Sequence, residues 1–242
     1  MSRPWQEAWF ESVRVRSRLL WRGVEAQHLI ATLRLTATAA EHQVLEALLE
    51  RSKPPLPAPA PVRHYLLSTP FRYRAPVASR FRRAHDPGAW YGAEELRTAC
   101  VELGYWRWRF LMDSDGLAGE ALHTVHSFFR AQARGRCLDL TRAPWNAALA
   151  AWRDPYHYGA CHELALAARA QRVVWIRYRS ARDAAGVCGA VFELAALTLS
   201  RASPMQTWIC RTTRTGARLQ RSSAAGEYFE FHAAGWRPPS GR

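Results

Sequence analysis

Lysine is almost absent from this sequence. Lys53 is the only one among 34 basic residues, Asn146 is the only asparagine, and isoleucine is scarce while arginine and alanine abound. Codon usage in a GC-rich genome produces such a skew by itself. The net charge of +14 therefore does not identify a nucleic-acid binder, although a positive field concentrates anionic ligands, whether nucleic acid or a phosphorylated metabolite. Paired cysteines are also lacking: Cys100, Cys137, Cys161, Cys188 and Cys210 are odd in number and widely spaced, with no Cys-x-x-Cys. That pattern excludes a disulfide scaffold and a structural zinc site and predicts reduced thiols. No apolar run is long enough for a membrane-spanning helix. The start, Met1-Ser2-Arg3-Pro4-Trp5-Gln6-Glu7, has no signal-peptide core, which predicts a cytoplasmic protein. Glycine-rich phosphate loops, a His-Glu-x-x-His zinc helix and a Gly-x-Ser-x-Gly elbow are all missing. His123 and His126 would point to opposite faces of a strand, so no metal is expected.

What is present is a 48% hydrophobic chain of 242 residues, enough for one well-buried core. Leu19, Leu20, Val24, His28 and Leu29, then Val44, Leu45, Leu48 and Leu49, recur at helical spacing and predict a helical stretch over 11–50. The proline-rich connector from Lys53 to Pro61 must be extended; it ends an N-terminal helical extension (1–60) and feeds a strand at 64–67. Further strands are expected at 89–91, at two places in 124–140, and at 173–176, 187–199 and 205–211. Helices are expected at 94–110 and in 145–171. The sequence past Gly216 reads as a polar, peripheral tail. The fold class is therefore α+β: a single compact domain over 61–205 with a mixed β-sheet core and flanking helices, followed by a C-terminal strand and tail over 206–242.

Several residues stand out, each with a plain alternative. Arg72/Arg74 and Arg80/Arg82/Arg83 have the forked geometry that takes phosphate oxygens in pairs, but could equally form a solvated basic loop. Glu102 lies on the helix carrying the apolar stripe Leu96, Ala99, Cys100, Leu103, Trp106 and Phe110. A carboxylate so placed must be paired or functional. Ser180 follows a buried-type strand where the chain turns polar, a place for a ligand-contacting hydroxyl or a simple turn. Tyr105-Trp106-Arg107-Trp108-Arg109-Phe110 could stack bases and bind phosphates; with Trp106 and Phe110 on the apolar stripe, core packing is the simpler account.

In order, these pieces resemble the RES family, named for its Arg, Glu and Ser. The resemblance runs through Ser68-Thr69-Pro70-Phe71-Arg72-Tyr73, Ser79-Arg80-Phe81, the Pro87–Glu102 block with eleven residues from Tyr91 to Glu102, Asp154 to Ala170, and Ile176-Arg177-Tyr178-Arg179-Ser180-Ala181-Arg182. It covers roughly residues 60–200. Ser79 stands where glycine is common, and Cys188 where asparagine is common.

The resemblance implies a fold like that of ADP-ribosyltransferase toxins and a bacterial toxin that cleaves NAD+ at the nicotinamide–ribose bond. Phosphate would be the co-substrate, with no cofactor or metal, and an Xre-type antitoxin would plug the site. A homodimer is possible under this reading, and neither membrane nor direct nucleic-acid binding is expected. By the same resemblance Glu102, Arg72 and Ser180 would be catalytic, while Arg80, Tyr73, Tyr91 and Arg182 would bind NAD+ or phosphate. Two further readings stay open: protein ADP-ribosylation from the same NAD+ site, and a basic nucleic-acid-binding protein.

Overall fold

The structure is a computed structural model, and it describes residues 3–26, 32, 35–56, 64–117, 119–202, 204–224 and 226–236. His28, Leu29 and the prolines from Pro57 to Pro61 lie outside the described residues.

The centre of the molecule is one long strand, β3 (Leu122–Asp139). Along one edge it pairs antiparallel with β1 (Arg14–Glu25) over the whole length of β1. Its other edge is shared in turn by β7 (Gln206–Thr213), β6 (Leu197–Leu199) and β4 (Trp175–Arg179). Only β4 runs parallel to it, so the sheet is mixed. From β4 the sheet continues through β5 (Val187–Val191) to β2 (Trp90–Ala93), and from β7 through β8 (Gly216–Arg221) to β9 (Tyr228–His232). β1 meets β2 as well, at the single register pair Trp21↔Ala93. The pairings β1, β2, β5, β4 and β3 thereby close into a ring. The helices α1 (Ala39–Ser52), α2 (Tyr65–Arg72), α3 (Leu96–Met112), α4 (Leu149–Arg153) and α5 (Gly159–Ala170) flank this sheet. The α+β architecture is as expected.

The first correction concerns the N-terminal segment. Residues 14–25 form a strand inside the sheet, with Leu20 fully buried and Trp5, Phe10 and Val13 in the core. The period of two was hidden because inward positions carry charge. Arg16 meets Asp139 at 3.5 Å and Arg18 meets Glu94 at 3.7 Å, while Arg177 bridges both carboxylates. Burial opposes the charge on Asp139, yet the Thr141 hydroxyl and the Arg177 and Arg16 guanidiniums outweigh it and hold this carboxyl below its usual range. Only α1 matches the expected helices of this region. Thr38 and Glu41 form a reciprocal capping box at its start, and none of its residues is buried.

Three more segments differ from expectation. Residues 65–72 form α2 rather than a strand; its Leu66, Leu67, Ser68 and Phe71 are buried on one side. The interval 122–139 is one strand, not two. The supposed tail forms β8 and β9, whose alternation is masked by arginine and glutamine on the outer face while Ala217, Leu219 and Phe231 point inward. Those strands capture α3 from a side the sequence did not reveal. A Cβ on Gly104 would sit 3.1 Å from Ala217, so helix and strand approach closely there. The buried face of α3 is rotated accordingly: Tyr105, Trp108 and Leu111 are inside, whereas Trp106 is 44% and Phe110 56% exposed. Tyr105 and Trp108 pack around Trp236. With these two rings in the core, a base-stacking platform along 105–110 loses its centre.

Among the described residues no helix is long and apolar enough to cross a membrane.

Candidate active site

Because β1 touches β2 at one residue pair only, the two strands part beyond Trp21. The gap opens into a cleft of about 450 Å³ whose walls are β1 from Trp21 to Glu25, β2 from Tyr91 to Ala93, and α3. That volume lies within the range of small-molecule sites. The backbone carbonyl of Tyr91, which has no ladder partner on β1, accepts instead from Arg22 Nη1 at 2.9 Å.

Glu102 projects from α3 into the cleft, one helical turn before Trp106. Its Oε1 accepts from Ser180 Oγ at 2.6 Å. Ser180 is itself fully occupied. Its hydroxyl oxygen accepts the backbone N–H of Arg182 at 3.0 Å and of Asp183 at 2.9 Å, its own N–H goes to Gly186, and its carbonyl takes Arg153 Nε. A hydroxyl held by two amides has one orientation left for its proton, and that orientation is toward Glu102. Ser180, expected at the ligand, is not among the residues that line the cleft. The residue is 0% exposed and lies behind the carboxylate, so it positions Glu102 and does not touch the cleft. Cys188 Sγ lies 4.0 Å from the same Oε1. Burial, and then the charge of Glu102, push that thiol well above its ordinary range.

The loop before β2 is no solvated basic loop. Phe81 is fully buried and Arg80 and Arg82 nearly so. Arg82 is consumed by the carbonyls of Ala75, Val77 and Arg83. Arg80 Nη1 donates to the carbonyls of Trp152 and Asp154, both at 2.8 Å, and its guanidinium lies 4.7 Å over the Tyr158 ring. Burial works against its charge, but Tyr178, Cys161, Tyr158 and Glu102 together hold its pKa above the usual value. Tyr91 shares its hydroxyl with Ser79 Oγ at 2.8 Å and accepts from the Phe81 N–H at 3.1 Å. His162 pins the Ser79 carbonyl from α5 at 2.8 Å. From the turn after β4, Arg182 lies 3.5 Å over the Tyr105 ring and donates to the Pro155 carbonyl at 2.8 Å; its Nη1 is buried with no partner among the described residues.

Of the residues singled out in the sequence, the structure brings Arg80, Tyr91, Glu102 and Arg182 to one cleft, with Ser180 directly behind. Arg72 and Tyr73 are placed elsewhere. Arg72 ends α2 and faces the exposed Glu50 at 3.7 Å, outside the lining of the cleft. Tyr73 lines a second cavity of about 370 Å³ beyond Tyr91. The physical reason is the helical form of 65–72, which ends on Arg72 and turns it toward Glu50 of α1.

Sequence reasoning missed Trp21, Arg22, His126, Tyr158 and Tyr178, which also line the cleft. Tyr158 and Tyr178 lie inside the blocks already noted. Arg22 and Trp21 could have been found only by recognising β1 as a strand. His126 is fully buried, hydrogen-bonded to Thr124 Oγ1, and pushed down to about 4, first by burial and then by Arg107.

Comparison with known proteins gives one family: RES domain, matched over residues 56–213. No curated protein matches. Among solved structures, the M. tuberculosis MbcT–MbcA toxin–antitoxin complex aligns at 12% identity over 86% of this chain and 94% of that one, with a TM-score of 0.49.

Proposed function

The chain belongs to the RES family, and from that premise we propose that it cleaves NAD+ at the nicotinamide–ribose bond and serves as the toxin of a bacterial toxin–antitoxin pair. The observation that carries this reading is Glu102, a carboxylate aimed into a cleft and held there by a serine with no other freedom. As nicotinamide departs, positive charge grows on the ribose. A fixed carboxylate beside that carbon stabilises the charge without reorganising. The C–N electron pair leaves with neutral nicotinamide, an acceptor oxygen forms the new C–O bond, and the acceptor's proton is lost to solvent.

Tyr91, pinned by Ser79 and Phe81, shapes the ribose end. Arg80 and Arg182 supply positive potential, but each is also committed to backbone carbonyls and a tyrosine ring. They are therefore pre-ordered and hold a ligand anion without a fresh entropic cost. Phosphate is the acceptor under this reading, no metal takes part, and the partner is an antitoxin with an Xre-type DNA-binding region that covers the cleft in the cytoplasm.

The test is a product analysis. Purified protein incubated with NAD+ and phosphate should release nicotinamide and form ADP-ribose-1″-phosphate. Free ADP-ribose would mean water as acceptor, and a modified polypeptide would mean protein ADP-ribosylation. Absence of nicotinamide release under all conditions would sink the catalytic reading. Expression without an antitoxin should deplete cellular NAD+ and arrest growth, with Glu102→Ala relieving both.

A further inference from the structure

Four arginines line the cleft: Arg22, Arg80, Arg107 and Arg182. Arg107 is neutralised by Glu25 at 2.8 Å. Arg80 and Arg182 are tied down as described, close to the Glu102 side. Arg22 shares an unmet donor with Arg182 but differs from all three in its place. It lies on β1, outside the residues matched to the family, and is half-buried without a carboxylate partner among the described residues. It gives one N–H to the Tyr91 carbonyl and lies 5.3 Å over the Trp90 ring, while its Nε is buried with no hydrogen-bond partner among the described residues. Desolvation has pushed it down to about 10, an unfavourable position for a cation that Tyr91 offsets only in part. A buried guanidinium donor with no partner is costly, and an anionic ligand would remove that cost.

Arg22 also occupies a special place. It lines both the cleft and the second cavity, together with Val24, Ser79 and Tyr91, so these residues form a neck between the two spaces. Beyond the neck the second cavity offers the rings of Tyr65 and Tyr73, both substantially exposed, with Leu66 and Pro70 as an apolar floor. A dinucleotide has the matching layout: a ribose to be attacked, two phosphates, then a flat aromatic base on a second ribose.

We propose that the substrate lies across the gap between β1 and β2, with its phosphates on Arg22 at the neck and its far nucleoside in the second cavity against Tyr65 and Tyr73. This deepens the proposed function and rests on it for the identity of the ligand. It also gives Tyr73 a binding role at a different end of the molecule from the nicotinamide ribose.

Calorimetric titration with inorganic pyrophosphate, ADP-ribose and nicotinamide mononucleotide tests the arrangement. Arg22→Gln should weaken pyrophosphate and ADP-ribose by roughly 10- to 100-fold, the range of one charge-assisted contact, and Arg22→Lys should recover part of the loss. Thr69→Trp, which fills the second cavity, should weaken ADP-ribose at least tenfold more than pyrophosphate or the mononucleotide. Melting curves of each variant show whether the fold is kept. Unaltered pyrophosphate binding in a folded Arg22→Gln variant overturns the neck, and equal effects of Thr69→Trp on all three ligands overturn the far pocket. The two readings fail separately. NAD+ cleavage with an unchanged KM in Arg22→Gln removes this inference and leaves the function. Arg22-dependent binding of pyrophosphate and ADP-ribose by a wild-type protein that releases no nicotinamide removes the function and leaves the site.

Discussion

The two walls of the cleft are built on opposite principles. On the wall made by α3 and the turn after β4, the groups that hold Glu102 are tightly satisfied. The one donor left over there among the described residues, Arg182 Nη1, belongs to a side chain already fixed by the Tyr105 ring and the Pro155 carbonyl. Ser180 has a partner for its N–H, its carbonyl and its hydroxyl, and the result is a carboxylate with one available orientation. On the β1 wall the sheet comes apart, a strand carbonyl is served by a side chain, and a guanidinium donor is left over. The first wall suits chemistry, where a group must not move. The second suits binding, where an unmet donor waits for its acceptor. The difference teaches that a single cleft can be fixed on one side and left open on the other.

The largest expected effect tests whether the β1 wall is part of the fold at all. Deleting residues 1–25 should leave no soluble, folded protein, read by expression and circular dichroism. The deletion removes Trp5, Phe10, Val13 and Leu20 from the core and strips one entire edge of β3. At about 1.5–3 kcal/mol for each large buried side chain, the loss matches the whole net stability of a typical domain, about 5–15 kcal/mol. A well-folded, active 26–242 fragment would break the comparison outright.

Next in size is Glu102→Gln on the rigid wall, which keeps shape and removes charge. NAD+ cleavage should fall by about 10²–10³ or more, the scale of losing one preorganised electrostatic group, with ADP-ribose binding little changed. Ser180→Ala comes third. It leaves two buried amides without an acceptor and should cost about 2–3 kcal/mol in a chemical denaturation curve. It should also lower kcat about tenfold while KM stays nearly constant, because Glu102 is loosened but not removed. A matching rise in KM would mean that Ser180 meets the ligand after all.

The smallest effect concerns His126, on β3 beside Glu25. Its folded-state pKa of about 4 lies below the ordinary 6.5. Above pH 6.5 the ring is neutral whether folded or not, so it does not affect stability there. As pH falls below 6.5 the unfolded chain takes up a proton that the folded chain refuses, and stability drops until about pH 4. Between pH 7.5 and 5.5 the loss should be about 1.4 kcal/mol, the value of one pKa unit. His126→Gln should flatten that part of the melting profile. An identical slope in both proteins would show that other groups govern it.

How far the site was legible depends on where each residue sits. Arg80, Tyr91, Glu102, Ser180 and Arg182 were found because their order and spacing survive in one dimension, although the sequence could not show that Ser180 faces away from the cleft. Arg72 and Tyr73 belonged to the same pattern, yet α2 turns them aside. Arg22 belonged to no pattern and lay on a segment read as helical. Its neighbours Arg16 and Arg18 masked the strand by placing charge where an inward apolar residue was expected.

What the sequence alone determined is therefore the local chemistry and the class: one α+β core, free cysteines, a helix carrying a carboxylate, and an ordered set of Arg, Tyr, Glu and Ser. These follow from composition, spacing and helical periodicity, all short-range properties. Only the tertiary structure decided which arginines are committed, which face of α3 is buried, and where the sheet splits. Each of those rests on pairing between residues 69 or more positions apart: β1 with β3, α3 with β8, Arg22 with Tyr91. A buried ion pair or an unmatched carbonyl has no signature in the chain until its partner arrives.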